Sequence, residues 1–378
     1  MSLPPASIGR TPSRRRGSVT WGSGGPRTHS DKVAQILSIM KQVSTTCPVC
    51  SGTTHTWLSA NDLQYGIKGR WTALKCDVCR HGFQNPMPNE AELGRYYSDS
   101  YYAFQQPGNC FEPVGWKHPS VWTIMSYLKC FRGYKHLNVR RNPVLAMLGW
   151  YRGGPRWHVS PPFKSGGALL DYGCGSGQSV AFYRFLGWQA EGIEIDDRAV
   201  QRAKEANIPV ERGSIDLLER RIDAYDWIVS WHCIEHVPDF WRLFRAFYAA
   251  LKPGGRITIE VPNGDSLAAK RHGAYYFYLC LPVHTHLFSP SSIRRVGAAV
   301  GFTQIRVTTR TYCLTNQMKS SALLWRRRLG RPTDGGFGSQ NRVEAALGWM
   351  SAWFTYIPSI LLRGRGDCIF LEATKPAM

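Results

Sequence analysis

The stretch "GALLDYGCGSGQ", residues 167–178, limits what this chain can fold into more than any other. An apolar run ends on Asp171 and passes directly into three glycines at alternate positions, Gly173, Gly175 and Gly177. A buried strand with such a loop brings backbone close to a ligand at the carboxyl edge of a sheet, because glycine accepts tight-turn angles and carries no Cβ. Downstream, "WQAEGIEI", "IPVER", "DWIVSW" and "GRITIEVP" read as further strands with helical segments between them, and "GDCIFLEATK" as a last one. Over 239–251, Phe240, Leu243, Phe244, Phe247 and Leu251 recur at three- and four-residue spacing, and "KPGG" closes that helix. "SPSSIRRVGAAVGF" opens with serine and proline start signals and leads to the strand "TQIRVTT". Alternation of this kind predicts an α/β fold with a doubly wound, mainly parallel sheet.

Glu194 ends the second strand, 21 positions after Gly173, where a carboxylate is suited to accept hydrogen bonds from two ribose hydroxyls. A dinucleotide fingerprint is not matched, because position 178 is Gln where the third glycine should stand. The loop instead resembles the first motif of the class I S-adenosylmethionine-dependent methyltransferases, D-x-G-C-G-x-G. The resemblance continues through "YDWIVSWHCIEHVPDF", "ALKPGGRITIEVPN" and "HTHLFSPSSIRRVGAAVGF", in the family's order, and covers residues 167–310. It implies a Rossmann-like sheet of seven strands. It also implies S-adenosylmethionine held by Asp171, Gly173, Cys174, Gly175 and Gly177 around its methionine portion, by Glu194 at the ribose and by Ile195 at the adenine. Cys174 reads as a small residue fitted between glycines, not as a nucleophile. The family often carries an acid after the third strand; "RGSID" leaves open whether Ser214 substitutes or Asp216 is displaced.

Methyl transfer is an in-line displacement from a sulfonium, so alignment is the main task, and a hydroxyl acceptor also calls for a base. Candidates beyond the fourth and fifth strands are His232, Glu235 and His236 in "WHCIEHV", then Asn263, then His284 and His286 in "PVHTHLFSP". His232 is also a candidate cofactor contact. For Glu235 and His236 a helix start with loop packing is the competing reading, and Asp239 reads as a helix N-cap. His284 and His286 can be metal ligands, structural residues or base and substrate contacts. Metal binding by H-x-H needs a third ligand, and no other histidine or carboxylate stands at matching spacing. The resemblance places the segment beside the acceptor, which makes His284 the first choice of base.

Cys47 and Cys50 in "CPVC" and Cys76 and Cys79 in "CDVC" have the pairing that tetrahedral structural Zn2+ requires. Redox or structural thiols are the alternative, and His55 and His81 are left out of the shell. With the following "QNPMPNEAELGRYYSDSYY", this region looks like the N-terminal part of bacterial enzymes of the same family that act on sugars and surface-polysaccharide intermediates. The expected organisation is a disordered basic tail over 1–40 with Met40 as an alternative start, a zinc ribbon and helix over 41–106 and a basic helical connector over 107–166. The cofactor core follows over 167–310, a helical insert or lid over 311–365, and a final core strand over 366–378.

The net charge of +21 lies mostly outside the core: residues 107–166 carry nine Lys and Arg against one acid, whereas 167–310 carry 17 against 15. Such a distribution implies an anionic partner. The longest apolar run, "LGWMSAWFTYIPSILL", has 16 residues and is interrupted by Pro358; it reads as a buried helix, with peripheral membrane contact as the alternative. The N-terminus is basic without a following apolar stretch, so the expected location is the cytoplasm, with the inner membrane face as the alternative. The first functional reading is methylation of a sugar on an anionic nucleotide-linked or lipid-linked acceptor. An RNA base methyltransferase with a zinc-ribbon RNA-binding domain is the second, and a non-enzymatic zinc-ribbon nucleic-acid adaptor the third. Whether O, N or C is methylated, and the oligomeric state, stay open.

Overall fold

A computed structural model describes residues 45–97, 119–152, 162–311, 314–333, 336–338 and 341–377. The expected tail over 1–40, its alternative start at Met40, and residues 107–118 and 153–161 of the connector lie outside these residues. After the first cysteine pair come β1 (Thr54–Ala60), β2 (Trp71–Cys76) and β3 (Gly82–Gln84), paired antiparallel. A short helix, α1 (Glu90–Gly94), is opened by an Asn89–Glu92 capping box. The basic connector contributes α2 (Pro119–Phe131) and α3 (Pro143–Arg152).

Strand and helix then alternate through β4 (Ala168–Tyr172), α4 (Gln178–Phe185), β5 (Gln189–Glu194), α5 (Asp197–Glu205), β6 (Val210–Arg212), α6 (Ile215–Glu219) and β7 (Tyr225–Trp231). Next are α7 (Phe240–Ala250), β8 (Leu251–Pro262), α8 (Leu267–His272), β9 (His286–Leu287), α9 (Pro290–Val300) and β10 (Thr303–Arg310). The chain closes with α10 (Leu314–Arg328), α11 (Arg342–Leu361) and β11 (Cys368–Thr374). The segment "KPGG", read as the closure of α7, already belongs to β8, and the helix stops at Ala250.

Seven strands form one sheet in the order β10-β11-β8-β7-β4-β5-β6. β8, β7, β4, β5 and β6 are mutually parallel, and β11 runs antiparallel to both of its neighbours. Successive residues of a strand point to opposite faces, and both faces here are covered by helices, so the central strands carry buried apolar residues on both sides. Leu170 packs with Phe240, Phe244 and Phe247 of α7, whereas its neighbour Leu169 packs with Leu128 of α2, Tyr183 of α4 and Trp227. Burying each of those three phenylalanines contributes roughly 1.5–3 kcal/mol. The connector therefore supplies core, and it is tied down where Trp188 Nε1 donates to the Tyr134 hydroxyl at 3.0 Å.

A second sheet has the order β1-β2-β3-β9. Its fourth strand comes from the "HTHLF" segment: Gly82 pairs with Leu287 and Phe83 with His286. The cysteine-bearing strands and the histidine segment are thus one hydrogen-bonded unit, which no local sequence pattern announces.

The helix α11 corrects the expectation of a buried apolar helix. Its buried side is made of small or polar residues, Gly348, Ser351, Ala352, Thr355 and Ser359 among them, while Trp349, Met350, Phe354, Ile357 and Ile360 face outward. The physical reason is close packing on α10. A Cβ at Gly348 would sit 2.7 Å from Ala322 Cβ and 2.8 Å from the Met318 carbonyl. Gly348→Val is therefore expected to destabilise the fold by about 1–3 kcal/mol through overpacking. Urea titration would detect this as a lower midpoint at unchanged slope, and an unchanged midpoint would refute the tight α10–α11 seam.

Candidate functional site

β5 and β6 continue the sheet to one side of β4 while β7 and β8 continue it to the other, so the carboxyl edge between β4 and β7 is the switch point where ligands bind in such sheets. The glycine loop lies there. Gly173 has φ +72, and a Cβ on it would lie 2.2 Å from Cys233 Sγ, so only glycine fits this turn beside β7. Its N–H donates to the Ile193 carbonyl at 2.8 Å, which binds the loop to the end of β5.

Glu194 is nearly buried and accepts from the N–H groups of Gly175 (2.8 Å), Ile195 (2.8 Å) and Asp196 (3.0 Å). Burial raises its pKa, and those three N–H groups pull the other way. The carboxylate is fixed in orientation and keeps acceptor capacity on each oxygen. Beside it Ile195 is 65% exposed, a large apolar side chain offered to solvent at the rim of the loop. Asp171 is buried at the end of β4. Cys174 is turned inward against Gly192, and burial pushes its thiol pKa up. Ser214 is the N-cap residue of α6 and makes no side-chain bond to that helix, whereas Asp216 is ion-paired with Arg242 on the surface. A turn that a Cβ would close, an oriented carboxylate and an exposed aliphatic side chain fit the methionine portion, ribose and adenine of S-adenosylmethionine.

Beyond β7 the chain turns at His232, in the left-handed region with φ +51. Its Nε2 lies 3.2 Å from Glu260 Oε1 and its Nδ1 3.4 Å from Glu235 Oε1, and its ring stacks on Tyr278. Burial opposes charge on this ring, but the carboxylates, Glu260 first, hold it well above the usual histidine range. Glu260 was missed by the sequence reading, although an acid inside the apolar strand "RITIEVP" was the available signal.

Glu235 and His236 lie in a short turn, Ile234–His236, just after Cys233. Thr285 donates to the Glu235 carbonyl from both its N–H and its hydroxyl, fastening the "HTH" segment onto this turn. His284 is consequently delivered beside His236, with ring centroids 4.7 Å apart and nearly perpendicular. Burial and then His236 push the His284 pKa down to about 3. One donor atom each from Glu235, His236 and His284 lie within 4.8 Å of one another. Sequence spacing offers no third ligand for the H-x-H pair, but the fold brings two candidates to His284, His236 and Glu235, from 48 and 49 residues upstream, and the pair itself divides.

His286 does not face this cluster. Its Nε2–H donates to the Pro238 carbonyl at 3.1 Å, which leaves Nδ1 to accept from His81 at 3.2 Å, and burial lowers its pKa to about 4. With both nitrogens engaged in the interior, His286 is a structural residue and not a base. Asn263 is likewise occupied, donating to the Gly366 carbonyl at 2.7 Å and accepting from Asp265 N–H at 3.0 Å. Asp239 caps α7 through Arg242 N–H.

Cys47, Cys50, Cys76 and Cys79 bring their sulfurs within 4.8 Å of one another, with Cys47–Cys79 and Cys50–Cys76 both at 3.5 Å. Four thiolates around zinc at 2.3 Å would stand about 3.8 Å apart. Backbone N–H groups of Val49, Val78 and Cys79 point at these sulfurs at 3.4 Å. The donor set can hold a tetrahedral metal. His55 is instead bound to Asp77 on the surface.

Fold and site define an α/β protein built to hold a nucleoside cofactor at the class I methyltransferase switch point. Residues 156–307 match a family model described as a methyltransferase domain. The "Ubiquinone biosynthesis O-methyltransferase" of Xanthomonas euvesicatoria pv. vesicatoria is 30% identical over 164 residues, 38% of this chain and 69% of that protein. The protein of the same name from Chromobacterium violaceum is 28% identical over 150 residues, 36% of this chain and 65% of that one, so just under two thirds of that relative is spanned. The chain belongs to the class I S-adenosylmethionine-dependent methyltransferases. A solved structure, the "SAM dependent methyltransferase from Archaeoglobus fulgidus", aligns with a TM-score of 0.40 at 19% identity, over 64% of this chain and 97% of that one, a likeness too low to add to the match.

Proposed function

We propose that the protein transfers a methyl group from S-adenosylmethionine to a hydroxyl of a lipid-borne acceptor. The observation that carries the transfer is the juxtaposition of the glycine loop with the Glu235–His236–His284 cluster, through Cys233, which touches the space over Gly173 and stands two residues before Glu235. When bound, S-adenosylmethionine supplies an electrophilic methyl carbon on a sulfonium. The glycine loop and Glu194 hold that cofactor in register, and the cluster receives the acceptor hydroxyl from the opposite side, so the chain contributes alignment first. His284 and His236 each donate Nδ1–H to a carbonyl, of Tyr278 and Val283 respectively, so in the neutral rings the lone pair is on Nε2. His284→Ala is expected to lower turnover roughly 100-fold or more while leaving S-adenosylhomocysteine affinity within about threefold. Equal loss of both would make the residue structural.

Two observations support a lipid-borne acceptor. The relatives named above carry ubiquinone biosynthesis and O-methyl transfer in their names. They lend nothing to a sugar, so a lipid-linked glycan stays as one form of such an acceptor. The outward apolar side of α11, with Phe354 73% exposed, runs into Arg363 and Arg365, a combination suited to an anionic membrane surface. No helix among the described residues is long and apolar enough to cross a membrane. The four-cysteine knuckles are read as a structural Zn2+ site. Labelled methyl should enter a polyprenyl phenol or a polyprenyl-linked saccharide presented in anionic vesicles; labelling of RNA instead would overturn the acceptor.

A further inference from the structure

We propose that Glu235, His236 and His284 hold a divalent transition-metal cation at the acceptor end of the site, separate from the four cysteines. The inference rests on the reading of that cluster as the place where the acceptor hydroxyl is received. Three observations carry it. The donors are two imidazoles and one carboxylate within 4.8 Å of one another, a set that suits zinc and its neighbours and leaves a coordination position open. Both rings have Nδ1 bonded to a main-chain carbonyl, which fixes the tautomer and presents Nε2 as ligand; outer contacts of this kind orient metal-binding histidines. Finally, the Glu235 side chain is 1% exposed, and neither of its oxygens has a hydrogen-bond partner. The nearest cation is His232 Nδ1 at 3.4 Å, and that ring is itself paired with Glu260. A buried carboxylate is paired or coordinates a metal, and here the space between it and the two rings is where a cation would complete it.

The cation gives the acceptor chemistry what two weakly basic, buried rings do not. The acceptor oxygen binds at the open position and releases its proton to solvent, and the cation stabilises the oxyanion. An oxygen lone pair then forms the O–C bond to the methyl group as the C–S bond breaks, its electron pair returning to sulfur. His284 and His236 are ligands in this scheme, and Glu235 supplies the charge that keeps the cation in place.

Cobalt distinguishes the two sites, because thiolate ligands give intense charge-transfer absorption and nitrogen–oxygen ligands do not. Metal-free full-length chain titrated with Co2+ is expected to take up two equivalents, one with thiolate absorption and one with ligand-field bands alone. In Glu235→Gln and in His284→Ala the second equivalent should bind at least about 100-fold more weakly, with the thiolate absorption retained. Saturation at one equivalent, or a second equivalent of unchanged affinity in both variants, would overturn the proposal. The wild-type stoichiometry decides even where a variant fails to fold. Calorimetry with S-adenosylhomocysteine on the same samples reads the methyltransferase assignment separately: absent binding would sink that assignment and leave the metal count standing.

Discussion

Gly173→Ala is expected to weaken S-adenosylhomocysteine binding by at least about 100-fold, equivalent to roughly 2.7 kcal/mol. Two costs combine. The residue sits at φ +72, where an L side chain costs about 1–2 kcal/mol. Its new Cβ would also stand 2.2 Å from Cys233 Sγ and 2.7 Å from Cys233 Cβ, both at the root of β7's terminal turn. Relief of that clash displaces either the glycine loop, proposed above to receive the cofactor, or the turn that carries Glu235. Pairing the change with Cys233→Gly removes the clash and keeps the backbone strain, so calorimetry should show partial recovery. Wild-type affinity in the single variant would refute the placement of the cofactor against this loop.

The second large effect concerns the cysteine knuckles. Replacing Cys47 and Cys50 together by serine should reduce methyl transfer at least about tenfold while S-adenosylhomocysteine affinity stays within about threefold. The reason is the shared sheet. β3 leads directly out of the Cys76–Cys79 knuckle, pairs with β9, and sends Gln84 N–H to the Thr285 carbonyl at 2.9 Å. The Cys79 carbonyl accepts from the Ser289 hydroxyl, and Trp241 Nε1 donates to the Pro48 carbonyl at 2.8 Å. Losing the cysteine knuckles would free the segment that delivers His284 but leave β4, β5 and the glycine loop untouched. Serine substitution is preferable to chelation here, because a chelator would also strip a cation from the Glu235 cluster. Full activity with the ribbon melted, followed by tryptophan fluorescence, would contradict the coupling.

What could be read from the chain was what is encoded locally. The strand-to-glycine turn, the acid ending β5 and the stripe along α7 each depend on residues a few positions apart, and the structure places them as an α/β sheet of seven strands. The histidine pair was a different problem, because its partners come from far along the chain. His286 is fixed by His81, 205 residues away, whereas His284 joins Glu235 and His236. Two residues at a two-residue spacing would share one face of a strand, but β9 begins only at His286; His284 lies before it with its ring held to the Tyr278 carbonyl, so the pair divides, one ring toward His81 and one toward Glu235 and His236. α11 shows another limit. Large apolar residues dominate its pattern, yet burial went to the small ones, because a close helix crossing rewards the absence of side chain. The acceptor has no local signature, since its recognition draws on several segments.

The central claim, a class I methyltransferase whose cofactor sits on the Gly173 loop and Glu194, is tested most directly by titrating S-adenosylhomocysteine into wild-type chain and into Glu194→Ala. One-to-one binding to the wild type is expected, with a loss of at least about tenfold, near 1.4 kcal/mol, in the variant. Folded wild-type protein that binds no S-adenosylhomocysteine, or a variant that binds it unchanged, would contradict it.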